Sequence, residues 1–162
     1  MPIRLATADD LPWIQMICDY YIKNSTCTFD TEPVSLKSWN EWLDVHGERY
    51  PATVSVHNDR IVGYGCLKPF HPRPSAWHTV EDSVYVNDTC RGKGVGIRIL
   101  TDLVERARKL GYHSIVAGIA ADQPASLALH AKLGFVEVSR IREVGHKLGV
   151  WIDVIQMQKM LR

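Results

Sequence analysis

The sequence predicts an α/β fold, and the central observation is the order of elements in residues 80–110. These residues read as a strand, a short polar loop, a glycine-rich turn and an amphipathic helix. The apolar run at residues 113–119, rich in β-branched side chains, predicts a buried strand directly afterwards. A strand, helix and strand in succession indicate a parallel crossover, or at least a helix that covers the sheet. The 162 residues suit a single domain with one continuous core.

The first fifty residues predict a short strand and two helices. Thr7 and Asp10 form a capping-box pattern that begins the first helix, and Ser35 is suited to cap the second. Two tryptophans of the second helix, Trp39 and Trp42, are expected to pack in the core or at an interface. The predicted elements are a strand at 3–6, a helix at about 9–23, a polar loop at 24–30 and a helix at about 35–47.

The middle of the chain predicts a β-hairpin, a loop broken by prolines and a long strand. Apolar and polar residues alternate in both arms of the hairpin, and Asn58 and Asp59 supply the turn. The predicted bounds are 52–56 and 60–67 for the arms, 68–77 for the loop and 77–86 for the strand. Binding residues concentrate in such loops. Arg73 is therefore a candidate for binding a carboxylate, with a solvated surface arginine as the alternative.

The last third predicts two helices and two further strands. Gly111 and Gly134 follow the two apolar helical patterns and supply C-terminal stops. The predicted elements are a helix at 97–110, a short helix at 125–133, strands at 135–141 and 150–160, and a loop at 142–149 that joins these strands.

Composition and charge exclude several classes of protein. With 46% hydrophobic and 23% charged residues and a net charge of +1, nothing favours a nucleic-acid partner. No apolar run approaches the roughly 18 residues of a membrane helix, and the N-terminus lacks the apolar region of a signal peptide. The four cysteines are scattered without metal-ligand spacing, so no metal site is expected. We expect a cytoplasmic protein with reduced thiols.

The glycine-rich turn predicts a phosphate site. The first N–H groups of a helix lack partners inside the helix, and the helix dipole adds partial positive charge there. Gly92, Gly94 and Gly96 let a ligand approach the backbone closely, while Arg91 and Lys93 add charge at the rim. The spacing does not match a Walker ATP-binding loop, and it also departs from the dinucleotide pattern G-x-G-x-x-G.

Glu81 is the candidate general base. It lies in the middle of the predicted strand 77–86, and carboxylates in mid-sheet are rare unless they are paired. Its functional interpretation is acceptance of a proton during catalysis. A glutamate that faces a sheet edge or forms a salt bridge is the structural alternative.

Several ordered motifs give the chain a resemblance to a known superfamily. Arg91, Gly94 and Gly96 fill the pattern R-x-x-G-x-G after the strand SVYV, and S-x-x-x-H-x-K-x-G-F begins at Ser126. This arrangement resembles the acyl-CoA site of the GNAT superfamily of N-acetyltransferases. The segments NSTCTF, TVEDSVYV, RGKGVG, SLALHAKLGF and VGHKLGVWIDVIQMQ, in this order, are similar to the phosphinothricin and methionine sulfoximine (or sulfone) acetyltransferase branch.

The resemblance implies a mixed sheet of six or seven strands with helices on both faces, splayed between the strand ending at Val86 and the strand ending at Ala120. Acetyl-CoA is the implied co-substrate. Its pantetheine arm is expected to pair with Val84, Tyr85 and Val86, with an N–H near Tyr85 as donor to the reacting oxygen. The pyrophosphate is expected on the backbone of Arg91, Gly92, Lys93, Gly94, Val95 and Gly96, and Ser126 and Lys132 are expected to line CoA.

The resemblance also implies catalytic roles. Glu81 matches the catalytic glutamate of the family. His130 occupies the place of a tyrosine found in many members, where it is expected to act as an acid or as a relay with Glu81, or else to be structural. Gln123 stands where the family commonly has an asparagine that contacts the cofactor, which is a departure from the family pattern.

The implied acceptor is a small amine of the amino-acid type, such as phosphinothricin, methionine sulfoximine or methionine sulfone. The cationic residues Lys68, His71, Arg73 and His78 before Glu81 favour an acceptor with a carboxylate. Alternatives are a polyamine, an aminoglycoside, a protein N-terminus, or a CoA-binding regulatory domain without catalysis. The resemblance further implies a homodimer, with strand 150–160 and the tryptophans at its interface. The candidate acceptor residues are Thr26, Phe29, Arg73, Ser75 and Trp77.

Overall fold

The computed structural model describes residues 1–162, which form seven strands and four α-helices. The strands are β1 (Ile3–Leu5), β2 (Ala52–His57), β3 (Arg60–Pro69), β4 (Thr79–Val86), β5 (Ser114–Ala120), β6 (Val136–Lys147) and β7 (Val150–Met160). The helices are α1 (Leu11–Asn24), α2 (Leu36–Val45), α3 (Val95–Lys109) and α4 (Pro124–Lys132). No helix is long and apolar enough to cross a membrane.

All seven strands form one mixed sheet with the order β1-β2-β3-β4-β5-β7-β6. Every neighbouring pair is antiparallel except β4 and β5, which run parallel and are connected through α3. The predicted α/β class and the parallel crossover are therefore confirmed.

The sheet splays between its two central strands. β4 and β5 pair only from Thr79 opposite Ser114 to Glu81 opposite Val116. β5 stays paired with β7 as far as Ala120, and β4 stays paired with β3 as far as Val86. The ends of β4 and β5 consequently follow different neighbours and open a gap between them, as the resemblance implied.

Helices cover both faces of the sheet, and each face has its own apolar cluster. One cluster joins α3 to the sheet through fully buried Ile99, Leu100 and Leu103, with side chains of α4 packed against it. The other joins α1 and α2 to β2 and β3. Trp39 is 5% exposed in this second cluster, as expected for a core residue, and the partly buried Trp42 packs against it.

Most predicted elements agree with the structure, but the predicted loop at 142–149 is wrong. β6 continues to Lys147 and joins β7 through a tight turn at Leu148 and Gly149, both with positive φ. A bulge, marked by the register shift between Ile141 and Gly145 and by positive φ at Glu143, interrupts the alternation of side chains. Since β6 is an exposed edge strand, its charged residues carried no apolar signal for a strand.

Candidate functional site

A cleft of about 840 Å³ occupies the gap between β4 and β5. Its walls come from both strands, the glycine-rich turn, α4 and the loop at 26–30. This volume lies within the range of small-molecule and cofactor sites. The glycine-rich turn and α4 border what we call the cofactor end, and Glu81, Lys68 and the loop at 26–30 border the acceptor end.

Backbone groups of β4 are free along the cleft. The N–H of Asn87, just after β4, donates to the C=O of Val62 at 2.9 Å. In an antiparallel ladder such pairs alternate, so Tyr85 also directs its N–H and C=O toward β3. Val84 and Val86 therefore point their N–H groups into the cleft. The Val86 C=O is occupied, because it accepts a hydrogen bond from the Tyr21 hydroxyl.

The glycine-rich turn presents a continuous set of free backbone donors. No backbone N–H of residues 91–97 donates to another group of the protein. Gly92 and Gly94 have φ of 72° and 78°, values that side chains with a Cβ rarely adopt, and Gly94 caps the N-terminus of α3. Free amides and the dipole of a 15-residue helix form a site suited to a phosphate group. The site thus fits a pyrophosphate.

Two tyrosines of α1 hold Arg91 at the edge of this turn. The Arg91 Nε donates to the Tyr21 hydroxyl at 3.1 Å. The guanidinium also lies over the rings of Tyr21 and Tyr20, 5.1 and 5.8 Å from their centroids. This contact orients a cation beside the free amides and ties α1 to the cofactor end.

At the acceptor end, Glu81 is paired with a lysine of the neighbouring strand. The Glu81 Oε1 lies 3.3 Å from the Lys68 Nζ, and the side chains are 30% and 47% exposed. Both residues line the cleft. Glu81 is therefore accessible to a ligand and already has a cationic neighbour.

The loop at 26–30 crosses to the β5 side of the cleft through Thr26. The Thr26 Oγ1 lies 2.8 Å from each carboxylate oxygen of Asp122 and donates its proton to that carboxylate. The same hydroxyl accepts from Gln123 Nε2 at 3.1 Å. Asp122 and Gln123 follow β5, so these bonds connect the loop after α1 to the opposite half of the splayed sheet.

β6 fixes the same loop from a second direction. Lys147, which is buried, donates from Nζ to the C=O of Thr28 at 2.8 Å. Burial lowers the pKa of this lysine. The ring of Phe29 packs on Gly145, where a Cβ would lie only 2.9 Å from two ring carbons. The loop that borders the acceptor end is thus held at Thr26, Thr28 and Phe29.

His130 is buried on α4 and both of its ring nitrogens are bonded. Nδ1 donates to the C=O of Ser126 at 2.7 Å, and Nε2 lies 2.9 Å from Asp82 Oδ2. Burial lowers the pKa of His130, but the hydrogen bond and charge of Asp82, with the Ser126 carbonyl, outweigh it and raise the pKa overall. Asp82 points to the face of β4 opposite Glu81. His130 is thus bonded to Asp82 rather than to Glu81.

Comparisons with known proteins agree with this geometry. The model of the acetyltransferase (GNAT) family matches residues 14–135. The chain belongs to the GNAT family. It is 39% identical to the L-methionine sulfoximine/L-methionine sulfone acetyltransferase of Pseudomonas paraeruginosa over 96% of this chain and 92% of the relative.

Two solved structures of acetyltransferases superpose closely on this chain. A phosphinothricin acetyltransferase from Sinorhizobium meliloti in complex with acetyl-CoA has a TM-score of 0.95 and 32% identity, over 98% of this chain and 87% of that one. A ribosomal-protein-alanine N-acetyltransferase from Brucella melitensis has a TM-score of 0.96 and 36% identity, over 99% of both chains. The resemblance to the GNAT family and its splayed fold is therefore confirmed.

The GNAT cleft contains most of the predicted cofactor residues. Lys93 is the exception, because its Nζ donates to the C=O of Thr89 at 3.2 Å and the residue lies outside the lining. Val95 lines the cleft while its side chain is buried in the core. The predicted residues that line the cleft are Val84, Tyr85, Val86, Arg91, Gly92, Gly94, Val95, Gly96, Ser126, Lys132, Glu81, His130, Thr26 and Phe29.

Three predicted acceptor residues, Arg73, Ser75 and Trp77, do not line this cleft. A short 3-10 turn at Pro74–Ala76 folds this segment on itself, and the Trp77 indole donates to the C=O of Pro72 at 3.1 Å. The Trp77 ring then packs under Arg49 instead of reaching Glu81. The cationic loop residue Arg73 remains exposed outside the cleft.

Sequence reasoning missed Asp82, Tyr21, Asp122 and Lys147. Asp82 could have been recognised from the sequence, because it shares a strand face with Val80 and Val84. A lone carboxylate on such an apolar face needs a partner. The other three act through contacts between segments distant in sequence, which no local pattern encodes.

No group of three or more His, Cys, Asp or Glu side chains is arranged to hold a metal ion.

Proposed function

We propose that this protein transfers the acetyl group of acetyl-CoA to the amine of a small acceptor of the amino-acid type. One observation carries the proposal: free backbone donors of β4 and the glycine-rich turn share a cleft with the accessible carboxylate of Glu81. The sulfoximine, sulfone and phosphinothricin acetyltransferases among the relatives support this acceptor class.

The residues of the cleft have distinct roles in the proposed reaction. Acetyl-CoA supplies an activated acetyl group as a thioester; the C–N bond of the product forms as the C–S bond breaks, and CoA leaves as its thiol. The amides of residues 91–97 bind its pyrophosphate, and Arg91 adds positive charge beside them. Glu81 accepts the proton that the acceptor amine must lose to become a nucleophile. The N–H groups of Val84 and Val86 are placed to donate to the acetyl oxygen as negative charge develops there.

His130 has a positioning role in this proposal. Both ring nitrogens already have partners, so the imidazole is not free to bond Glu81 or a ligand without breaking a buried bond. Its bond to Asp82 joins α4 to β4, and α4 carries Ser126 and Lys132 on the cleft wall. His130 therefore fixes the spacing of the two walls that receive the cofactor.

An acceptor screen tests the proposed function. The purified protein is incubated with acetyl-CoA and a panel of amines, and the released thiol is measured. The panel contains methionine sulfone, methionine sulfoximine, phosphinothricin, a polyamine, an aminoglycoside and a peptide with N-terminal alanine. Thiol release with methionine sulfone, methionine sulfoximine or phosphinothricin supports the proposal. Release only with the polyamine, aminoglycoside or peptide changes the acceptor class, and CoA binding with no release for any amine favours a regulatory domain.

We further propose that residues 1–162 act as one domain in the cytoplasm. One sheet includes all seven strands, and all four cysteines are free thiols, as a reducing compartment would keep them. Accumulation of the tagged protein in the membrane or secreted fraction of cells would contradict the location.

We also propose a homodimer formed through the β6–β7 hairpin. β6 is an edge strand with no partner on its outer side, and the exposed apolar residues of the hairpin include Val138, Ile141, Val144, Leu148, Val150 and Trp151. Trp151 is 65% exposed. Light scattering should give twice the mass of the 18.3 kDa chain, and Trp151→Glu should reduce that mass. A monomer at micromolar concentration contradicts this interface.

A further inference from the structure

The starting observation is the pair formed by Lys68 and Glu81 across two strands. The two residues lie directly opposite each other in the register of β3 and β4, and their charged atoms are 3.3 Å apart. An ion pair this exposed contributes little to folding stability, because water screens both charges. The pair faces the cleft, so both charges are available to a ligand.

The other cationic side chains that line the cleft lie away from Glu81. Arg91 is held by Tyr21 beside the glycine-rich turn. Lys132 projects from α4, the helix that packs on the opposite face of the sheet from α1. Lys68 is consequently the cation that accompanies Glu81 at the acceptor end.

We propose that Lys68 and Glu81 together bind the zwitterionic end of a free α-amino acid, with Lys68 taking the α-carboxylate and Glu81 the α-ammonium group. This inference rests on the proposed function and makes Lys68 a specificity-determining residue. An α-amino acid carries both charges on one carbon, so its receptor needs an anion and a cation side by side. A lysine and a glutamate on directly paired positions of neighbouring strands provide that arrangement.

The exchange keeps the charges of the site balanced. Without an acceptor, Lys68 and Glu81 neutralise each other, and with an amino acid bound each gains an opposite charge from the ligand. No charge in the cleft is then left without a partner. An unpaired charge removed from water would cost free energy.

The same pair discriminates against other amines. A polyamine would bring a second cation toward Lys68 and be repelled. A peptide N-terminus has an amide where the amino acid has a carboxylate, so it would lack the ionic contact with Lys68. Lys68 would then stay paired with Glu81. The structure thereby favours free amino acids over peptide N-termini as acceptors.

The experiment compares three acceptors that differ only at the carboxylate. These are L-methionine sulfone, its carboxamide, and the corresponding amine without a carboxyl group. KM and kcat are measured for the unchanged protein and for Lys68→Met, Lys68→Arg and Lys109→Met. Lys109 is an exposed lysine at the end of α3 and outside the cleft, so it controls for loss of a positive charge.

We expect Lys68→Met to raise KM for the free acid about 10- to 100-fold, the effect of losing one charge-assisted hydrogen bond. KM for the carboxamide and the amine should change by less than about threefold. Lys68→Arg should recover most of the affinity for the acid, and Lys109→Met should have no effect. Calorimetric titration of acid and carboxamide into the CoA-bound protein should show the same difference without turnover.

Two results would overturn the inference. An equal rise in KM for all three acceptors would mean that Lys68 acts on the fold of the cleft. An equal change in kcat for all three would mean that it acts through Glu81. If the unchanged protein acetylates none of the acceptors, the proposed function fails instead, and the calorimetric comparison still decides whether Lys68 recognises the carboxylate.

Discussion

The two ends of the cleft are built by different means. The cofactor end is built mainly from backbone groups in one continuous stretch, from Val84 to the start of α3. The acceptor end is built from side chains of three separate segments, Glu81 on β4, Lys68 on β3 and the loop at 26–30, and Lys147 of β6 holds that loop in place. Backbone amides recognise any phosphate, whereas the side chains at the acceptor end determine which amine reacts.

This difference has a consequence for substitution. Along the glycine-rich turn, substitutions that preserve the φ angles should have little effect, except at Arg91, which adds charge, and at Val95, which is buried in the core. At the acceptor end each side chain has a specific partner, so single substitutions should alter acceptor kinetics while cofactor binding is kept.

The largest expected effect that separates the two ends is that of Glu81→Gln. The amide keeps the size of the side chain but cannot accept the proton of the amine, so we expect kcat to fall about 10²- to 10⁴-fold. Binding of CoA, measured by calorimetry, should stay within about twofold because the cofactor end is unchanged. A comparable loss in CoA affinity would show that Glu81 supports the structure of the cleft instead of its chemistry.

The next largest effect is expected from Asp82, which ties β4 to α4 through His130. Removing one partner of a buried ion pair typically costs about 3–5 kcal/mol, so Asp82→Ala should lower the free energy of unfolding by about that amount. The raised pKa of His130 means that the paired, protonated form stabilises the folded state. This stabilisation is fully present below the ordinary histidine pKa of about 6.5 and is lost as pH rises through the raised pKa.

Urea unfolding of the unchanged protein and of Asp82→Ala, at pH 5.5 and at pH 9, measures how this stabilisation depends on pH. The difference in the free energy of unfolding between the two proteins should be larger at pH 5.5. Asp82→Asn is the matched variant, since it can keep a neutral hydrogen bond to His130 and should recover part of the loss with a flatter pH dependence. The same penalty at both pH values would indicate that the pair is a neutral hydrogen bond.

The contrast between the ends also explains what could be predicted from the sequence. The cofactor end consists of local features: the start of α3, Gly92, Gly94 and the strand before them. Their sequence pattern therefore predicted the cofactor site and the parallel crossover. The bonds from Thr26 to Asp122 and from Lys147 to Thr28 span 96 and 119 positions, and only the folded chain brings them together.

Two departures from the expectations have a similar physical origin. Arg73 has the right chemistry for a carboxylate and its role stays a prediction, but the 3-10 turn at Pro74–Ala76 leaves it outside this cleft. β6 extends through the predicted loop at 142–149 because its backbone pairs with β7 around a bulge. In both cases residue types were interpreted without the tertiary contacts that decided the outcome.

A smaller effect is expected from Gly94→Ala at the cofactor end. A Cβ at a φ of 78° strains the backbone by about 1–2 kcal/mol and shifts the amides of the turn, so KM for acetyl-CoA should rise about 5- to 20-fold. Gly111→Ala is the matched control, since Gly111 has a φ of 81° after α3 and no neighbour within 4 Å of its added Cβ. Both variants should lose similar stability, measured by urea unfolding, but only Gly94→Ala should lose cofactor affinity. An equal rise in KM for both would mean that general destabilisation causes it.

The smallest expected effect concerns the connection from Thr26 to the β5 side of the cleft. Thr26→Val keeps the shape but removes the hydroxyl that bonds Asp122 and Gln123, so the loop loses one of its three fixed points. Loss of one such bond corresponds to about a 5- to 20-fold change in binding. Because Lys147 and Phe29 still hold the loop, we expect the acceptor KM to rise only about 3- to 10-fold. Thr26→Ser retains the hydroxyl and should behave as the unchanged protein in steady-state kinetics. The KM for acetyl-CoA tests whether the loop acts on the acceptor end alone. If it rises as much as the acceptor KM, the loop affects both ends of the cleft, and the two ends are not independent.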